Sequence, residues 1–170
     1  MISGKPALSP PESTLIAPLE QLIADTVETV TADPLLGRVF DGTASRELYL
    51  RFLGQTYHYV AQTQDQLQAG MRAFEAATDP IGRALYERFR HHAAEEVGHE
   101  RWVLDDIRAL GGDVDAVQRA TPGAAVRAYL AMGSFIVQSR RPIGVMGIGV
   151  LLEGISEKLG SSSARNLKER

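Results

Sequence analysis

The sequence predicts an all-α protein, and three observations lead to this prediction. Apolar residues recur every three or four positions through most of the chain. Proline, glycine and capping residues divide these stretches, whereas the alternation typical of a β-strand is almost absent. One amphipathic stripe also contains three polar residues, His92, Glu96 and His99, at positions that face a core. With 170 residues and 44% hydrophobic content, the chain is long enough for one domain with its own core.

The beginning of the chain is predicted to be a flexible arm. Residues 1–12 are rich in proline, serine and glycine, and they lack the apolar segment of a signal peptide. We expect a single helical domain over residues 13–170. Its first helix is predicted from Ser13 to about Ala32, because Pro34 lies just past the last apolar residue.

The second and third helices are predicted from their caps and breaks. A turn over residues 41–43 precedes a long helix over residues 45–77. Asp79 is a capping residue followed by Pro80, which suits the first helical position. The two glycines at positions 111–112 then end a continuous third helix.

Two further helices complete the predicted domain. Thr121 and Pro122 repeat the capping signal and begin a fourth helix that ends near Ser139. Pro142 begins a fifth helix, which Gly160 is expected to end. This last helix is apolar on every side, which predicts that it is buried and that its glycines allow close packing.

The apolar stripe of the third helix contains residues that can bind a metal. Its spacings of three and four place eight residues on one face: Leu85, Phe89, His92, Glu96, His99, Val103, Ile107 and Leu110. Burying an unpaired polar group costs roughly 2–7 kcal/mol, and a charge costs more. A bound metal ion would compensate this cost.

A second carboxylate, Glu153, lies within the apolar fifth helix and is expected to be buried there. Helical bundles build two-metal sites from such inward carboxylates together with a Glu-x-x-His pair. Glu96 and His99 have this spacing and would bind one ion, with Glu153 as a further ligand. Oxygen and imidazole donors suit iron or manganese, and the ligand types alone do not exclude zinc.

The other two histidines of interest have less specific patterns. His92 lies one turn before Glu96, where it would tune a ligand, relay a proton or pack in the core. His58, between Tyr57 and Tyr59, is either a substrate-pocket residue or a core histidine. We take both His92 and His58 as candidate catalytic residues.

Composition excludes several classes of function. The net charge of −3 without a cluster of basic residues argues against nucleic acid and anionic membranes as partners. The longest apolar stretch, residues 143–152, is about half of the roughly 20 residues that span a bilayer. Because the chain has no cysteine, disulfides, thiolate metal sites and thiol nucleophiles are excluded. These features predict a cytoplasmic protein.

The motifs together resemble the haem-oxygenase-like di-iron oxidases, a superfamily that includes pyrroloquinoline-quinone synthase-like proteins. The resemblance rests on Glu96-Val97-Gly98-His99 within residues 86–106, on Glu153 within residues 151–157, and on the helix containing Tyr57-His58-Tyr59. It implies a haem-oxygenase-like helical bundle whose complete site binds two Fe(II) ions, with Glu96 and His99 as ligands on one core helix and Glu153 as a ligand on a second. It also implies activation of dioxygen to oxidise a small amino-acid-like substrate or aliphatic acid.

The chain departs from this family at its end. The family takes its remaining ligands from a third core helix bearing further histidines, and no histidine follows His99 here. Residues 161–170 are predicted to be a loop and the start of another helix. We therefore expect a bundle that lacks the usual C-terminal helices, with two, one or no metal ions bound. A homodimer would cover the apolar face left open.

Two alternatives to the oxidase stay open at this point. In the first, the chain is a metal-free or degenerate homologue, such as a quinone-synthase-like protein or an interaction module. Its polar residues would then form a buried hydrogen-bond network. In the second, it is an iron-binding or iron-storage helper, which binds metal without consuming oxygen in the presence of a substrate.

Overall fold

A computed structural model describes residues 10–139 and 141–168, and these residues form helices joined by short loops, with no strand among them. This confirms the all-α prediction. The helices are α1 (Pro10–Ala32), α2 (Leu36–Phe40), α3 (Arg46–Phe74), α4 (Pro80–Glu95), α5 (His99–Ala109), α6 (Val114–Arg119), α7 (Ala124–Gln138) and α8 (Gly144–Lys168). The predicted arm lies outside the described residues up to position 9, and Pro10 already belongs to α1.

The chain divides into two compact units. The central unit runs from Ala44 to Gly149, and the terminal unit combines the chain up to Thr43 with the chain from Val150 onward. Helix α8 begins in the central unit and continues into the terminal unit. The single domain expected over residues 13–170 stays a prediction.

In the central unit, α3 lies against α4, α5, α6 and α7. Five buried residues form the core cluster: Leu67, Phe89, Ala93, Val137 and Val145. Phe89 has no exposed surface and stacks on Phe74 with ring centroids 5.9 Å apart. Because Phe89 lies on α4 and Phe74 on α3, this aromatic pair joins the two helices.

The helix ends of this unit confirm most of the predicted punctuation. The carboxylate of Asp79 accepts a hydrogen bond from the Gly82 N–H at 2.9 Å, which lowers the pKa of Asp79. Pro80 follows at the first helical position. Gly111 ends the α5 segment with a φ of 68°, a conformation that glycine adopts readily.

Several helix boundaries differ from the predictions, and two short helices are additional. Helix α7 begins at Ala124 rather than at Pro122, because the Gly123 N–H binds the side chain of Gln55 at 2.7 Å. Gly160 does not end α8, because it lacks the positive φ of a terminating glycine and the helix continues to Lys168. The short helices α2 and α6 were not predicted, since five or six residues give too little periodicity.

The expectation that α8 is buried on every side is wrong. Its exposed residues include a set at helical spacing along the helix, namely Gly144, Gly147, Val150, Glu153, Glu157 and Gly160. The prediction failed because every glycine of the helix was taken as a sign of close packing, which holds for only some of them. A Cβ at Gly144 would lie 2.8 Å from Ile136 Cγ2, and one at Gly154 would lie 2.5 Å from Ile23 Cδ1. A Cβ at Gly147 would meet no atom within 4 Å, whereas one at Gly149 would lie 3.4 Å from His92 Cε1.

Two glycine substitutions test this description of the central unit. A methyl group at Gly70 would overlap the buried ring of Phe89. We expect Gly70→Ala to lower the free energy of unfolding, because overpacking costs about 1–3 kcal/mol and alanine returns about 1 kcal/mol of helix propensity. Gly147→Ala, which meets open space, should raise it by up to about 1 kcal/mol. Urea denaturation of both variants measures the difference, and equal effects would contradict the packing described.

Candidate metal centre

The continuous third helix predicted from the sequence is interrupted at the candidate site. Helix α4 ends at Glu95, α5 begins at His99, and Glu96, Val97 and Gly98 form a turn between them. Gly98 has a φ of 89°, in the left-handed region that side chains with a Cβ rarely adopt. A single glycine inside an apolar stripe gives a weak signal for a break, and the prediction of one helix was therefore wrong here.

The turn keeps Glu96 and His99 together. The Glu96 N–H still donates to the His92 carbonyl at 3.1 Å, and the His99 N–H donates to the Glu96 carbonyl at 3.3 Å. Nδ1 of His99 donates a hydrogen bond to Oε2 of Glu96 at 2.8 Å. A carboxylate only accepts, so Nδ1 carries the proton in this contact. The predicted pairing of these two side chains is present, although a turn rather than a regular helix produces it.

His92 contacts the other oxygen of the same carboxylate. Its Nε2 lies 3.4 Å from Oε1 of Glu96, so the carboxylate of Glu96 lies between two imidazoles. The exposed fractions of the three side chains are 8% for His92, 21% for Glu96 and 30% for His99. His92 therefore belongs to the core, and the pair of Glu96 and His99 lies at its edge with partial access to solvent.

Two neighbouring side chains that the sequence analysis did not single out support this cluster. Nε2 of Gln64, on α3, donates to the Ala93 carbonyl at 2.7 Å and so ties α3 to α4 beside His92. Trp102 lies against His99, with ring centroids 4.3 Å apart and an interplanar angle of 31°. The position of Trp102, three residues after His99 on one helix, was the signal that could have found it.

The residues present fit one metal ion in part. When two donor atoms each lie about 2.1 Å from one ion and the two bonds meet at a right angle, the donors are about 3 Å apart. Oε2 of Glu96 and Nδ1 of His99 are 2.8 Å apart, which is close to this distance. An ion would then take the place of the shared proton, as metal binding generally does. Carboxylate oxygen and imidazole nitrogen are suitable donors for iron. Within the part of the chain that the structure describes, no group of three or more His, Asp or Glu residues is placed to hold an ion.

The expectation that Glu153 is trapped in an apolar environment is wrong. Its side chain is exposed, on the face of α8 that Gly147 and Val150 share. Glu153 belongs to the terminal unit, whereas Glu96 and His99 belong to the central unit. Burial therefore no longer argues for Glu153 as a ligand, and its role in metal binding stays a prediction.

His58 lines a separate feature of the central unit. This is an open groove of about 530 Å³ beside α3 and α6, bordered among others by Leu50, Gln55 and Val117. His58 is half-buried there and contacts Tyr57 edge to face, with centroids 5.4 Å apart. None of His92, Glu96 and His99 is among the residues that line this groove, so the catalytic role of His58 also stays a prediction.

Comparison with known proteins adds the family and the fold. A model of the family described as iron-containing redox enzymes matches residues 50–170, a range that includes all five candidate site residues. The chain is similar to a solved domain of unknown function with a heme oxygenase-like fold from Shewanella denitrificans. The two share 24% sequence identity and a TM-score of 0.65, over 91% of this chain and 71% of that one. This likeness confirms the predicted haem-oxygenase-like fold. No curated protein matches.

No helix among the described residues is long and apolar enough to cross a membrane. The cytoplasmic location inferred from composition stays a prediction.

The break at Gly98 can be tested by substitution at that position. A Cβ there meets no neighbouring atom, so Gly98→Ala reports the cost of the backbone conformation alone. We expect a loss of roughly 1 kcal/mol in unfolding free energy, since the left-handed conformation costs about 1–2 kcal/mol without glycine. Gly98→Asn should recover part of the loss, because asparagine tolerates this conformation. Thermal or urea unfolding measures both, and a stabilised Gly98→Ala would indicate a continuous helix instead.

Proposed function

We propose that this chain, which belongs to the family of iron-containing redox enzymes, is a non-haem iron oxidase. In this proposal it uses dioxygen to oxidise a small organic substrate, either amino-acid-like or an aliphatic acid. The observation that supports it most is the 2.8 Å contact between Oε2 of Glu96 and Nδ1 of His99. These two donors share one turn at the edge of the core of a haem-oxygenase-like bundle.

Each residue of the cluster has a distinct task in this proposal. Glu96 and His99 hold iron through the two atoms that now share a proton. Iron, when bound, supplies the redox chemistry with dioxygen that side chains lack. His92 contacts the second oxygen of Glu96 and so limits rotation of that carboxylate. Because an imidazole nitrogen can either donate or accept a proton, His92 is also the candidate to move a proton at this oxygen.

Two irons are expected for a complete centre, and Glu153 is the proposed third protein ligand. Such centres in helical bundles take carboxylates from more than one helix, and Glu153 on α8 is the candidate for the second carboxylate. Mn(II) or Zn(II) would occupy the same donors in vitro. Dioxygen and the small organic substrate are the proposed partners, without nucleic acid or membrane, and a homodimer is the proposed assembly.

One observation favours a second candidate function, a metal-free homologue. The carboxylate of Glu96 already has partners on both oxygens, His99 at 2.8 Å and His92 at 3.4 Å. These contacts pair both oxygens of the Glu96 carboxylate without an ion. The two candidates differ in whether iron binds to the Glu96 and His99 side chains.

Iron binding tests the proposal on a matched set of variants. We expect Glu96→Ala and His99→Ala to weaken Fe(II) binding by about 100-fold or more, since loss of an outer-shell partner alone costs about 10–100-fold. His92→Ala should weaken Fe(II) binding by this smaller factor of about 10–100. The control residues are His91 and Glu95, which directly precede His92 and Glu96. They are exposed, and Nδ1 of His91 lies 3.1 Å from Oε2 of Glu95. Alanine at either position should leave iron binding unchanged.

The measurement is metal content and affinity after anaerobic Fe(II) loading of the full chain. Equal iron content in Glu96→Ala, Glu95→Ala and wild type would exclude the proposed ligands. No iron in the wild type would favour the metal-free homologue. Oxygen consumption that depends on an added carboxylic or amino acid separates the oxidase from an iron-storage helper.

The role of Glu153 has its own outcome in the same experiment. If Glu153 is a ligand, Glu153→Ala should lower the iron content of the full chain. Glu157 is also exposed on the same helix, and Glu157→Ala should leave the iron content unchanged. Iron content unchanged in Glu153→Ala would remove Glu153 from the site. Such a result would leave Glu96 and His99 as the proposed ligands.

A further inference from the structure

We propose that Trp102 is a positioning residue for His99. Its indole fixes the plane of the His99 imidazole so that Nδ1 stays directed at Oε2 of Glu96. The geometry that leads to this inference is the stacking of the two rings, with centroids 4.3 Å apart and planes 31° apart. The inference rests on the proposed function in one respect, because the proposed function makes His99 a metal ligand.

His99 needs such support because of its place in the chain. It is the first residue of α5 and follows the break at Gly98, so no regular helical turn precedes it. Side chains on a helix tilt toward its N-terminus, and residues three apart lie on the same face. The indole of Trp102 therefore extends back over the first turn and reaches the imidazole of His99.

The two contacts of His99 define its orientation in complementary ways. Stacking on Trp102 fixes the plane of the ring, but a half-turn about the Cβ–Cγ bond would preserve that plane. The hydrogen bond to Glu96 distinguishes Nδ1 from the carbon that would replace it after such a half-turn. Together they leave one orientation of the imidazole, in which its donor atom faces the carboxylate.

The exposure of Trp102 is consistent with this role rather than with a role in the core. Its side chain is 65% exposed, whereas the core of the unit is formed by fully buried residues such as Phe89 and Ile107. The ring that Trp102 contacts belongs to His99, whose own side chain is 30% exposed.

The test uses the metal-free full chain and a readout specific to the imidazole. Nitrogen NMR of the histidines at about pH 8 reports which ring nitrogen carries the proton, and His99→Ala assigns the signals of His99. Trp102→Phe keeps a flat ring, and Trp102→Leu keeps apolar bulk without one. Phe135→Ala removes another exposed aromatic ring, 73% exposed on α7, and serves as the control.

We expect the wild type, Trp102→Phe and Phe135→Ala to show the proton on Nδ1 of His99. Trp102→Leu should show the mixture of both forms found for a solvent-exposed imidazole. The inference is overturned if Trp102→Leu keeps the proton on Nδ1 of His99. It is also overturned if the control Phe135→Ala shows the mixture of both forms. Because Trp102 is the chain's single tryptophan, its fluorescence also confirms the substitutions.

Titration with Mn(II) alone separates this inference from the proposed function. Trp102→Leu should bind Mn(II) about 10–100-fold more weakly than wild type, and Trp102→Phe should bind nearly as well. A wild type that binds neither Mn(II) nor Fe(II) contradicts the proposed function, while the NMR result still decides the role of Trp102. A wild type that binds metal while Trp102→Leu keeps both the proton position and the affinity overturns the inference alone.

Discussion

The need to satisfy one partly buried carboxylate constrains the edge of the core in the central unit. Glu96 lies at the edge of an apolar core, where an unpaired charge would be costly, and two imidazoles contact its two oxygens. The surrounding structure keeps this arrangement in place: Gln64 ties α3 to α4 beside His92, and Gly98 turns the chain so that His99 meets Glu96. The site is therefore a consequence of how the core ends, rather than an addition to its surface.

Much of this arrangement could be predicted from the sequence because it depends on local periodicity. The stripe that includes Phe89, His92 and Ile107 is buried as its spacing indicates, and the pairing of Glu96 with His99 follows from a separation of three residues. The interruption at Gly98 could not be predicted, since glycine is compatible with both a helix and a left-handed turn. A three-residue separation brings the two side chains together in either conformation, which explains why the pair was identified although the helix was wrong.

Burial in α8 was harder to predict because it depends on partners elsewhere in the chain. An apolar sequence with glycines indicates a buried helix, yet Gly147 and Glu153 lie on an exposed face. Glycine occurs on α8 both where a neighbour is close, as at Gly154, and where space is open, as at Gly147, so periodicity did not distinguish the two sides. The stacking of Trp102 on His99 also depends on side-chain orientation, which the sequence indicates only by a three-residue separation. Membership of a family described as iron-containing redox enzymes supports a redox role, whereas the proposed ligands are argued from the contacts of Glu96 and His99.

X-ray absorption spectroscopy of the Fe(II)-loaded full chain tests the central claim most directly, because it reports the atoms bound to iron. The account predicts a shell of nitrogen and oxygen ligands with the outer scattering typical of imidazole, and loss of that imidazole signal in His99→Ala. Sulfur from cysteine is excluded by composition, so a light-atom shell alone would not decide the matter. An oxygen-only shell without imidazole scattering, the same in wild type and in His99→Ala, would contradict the account.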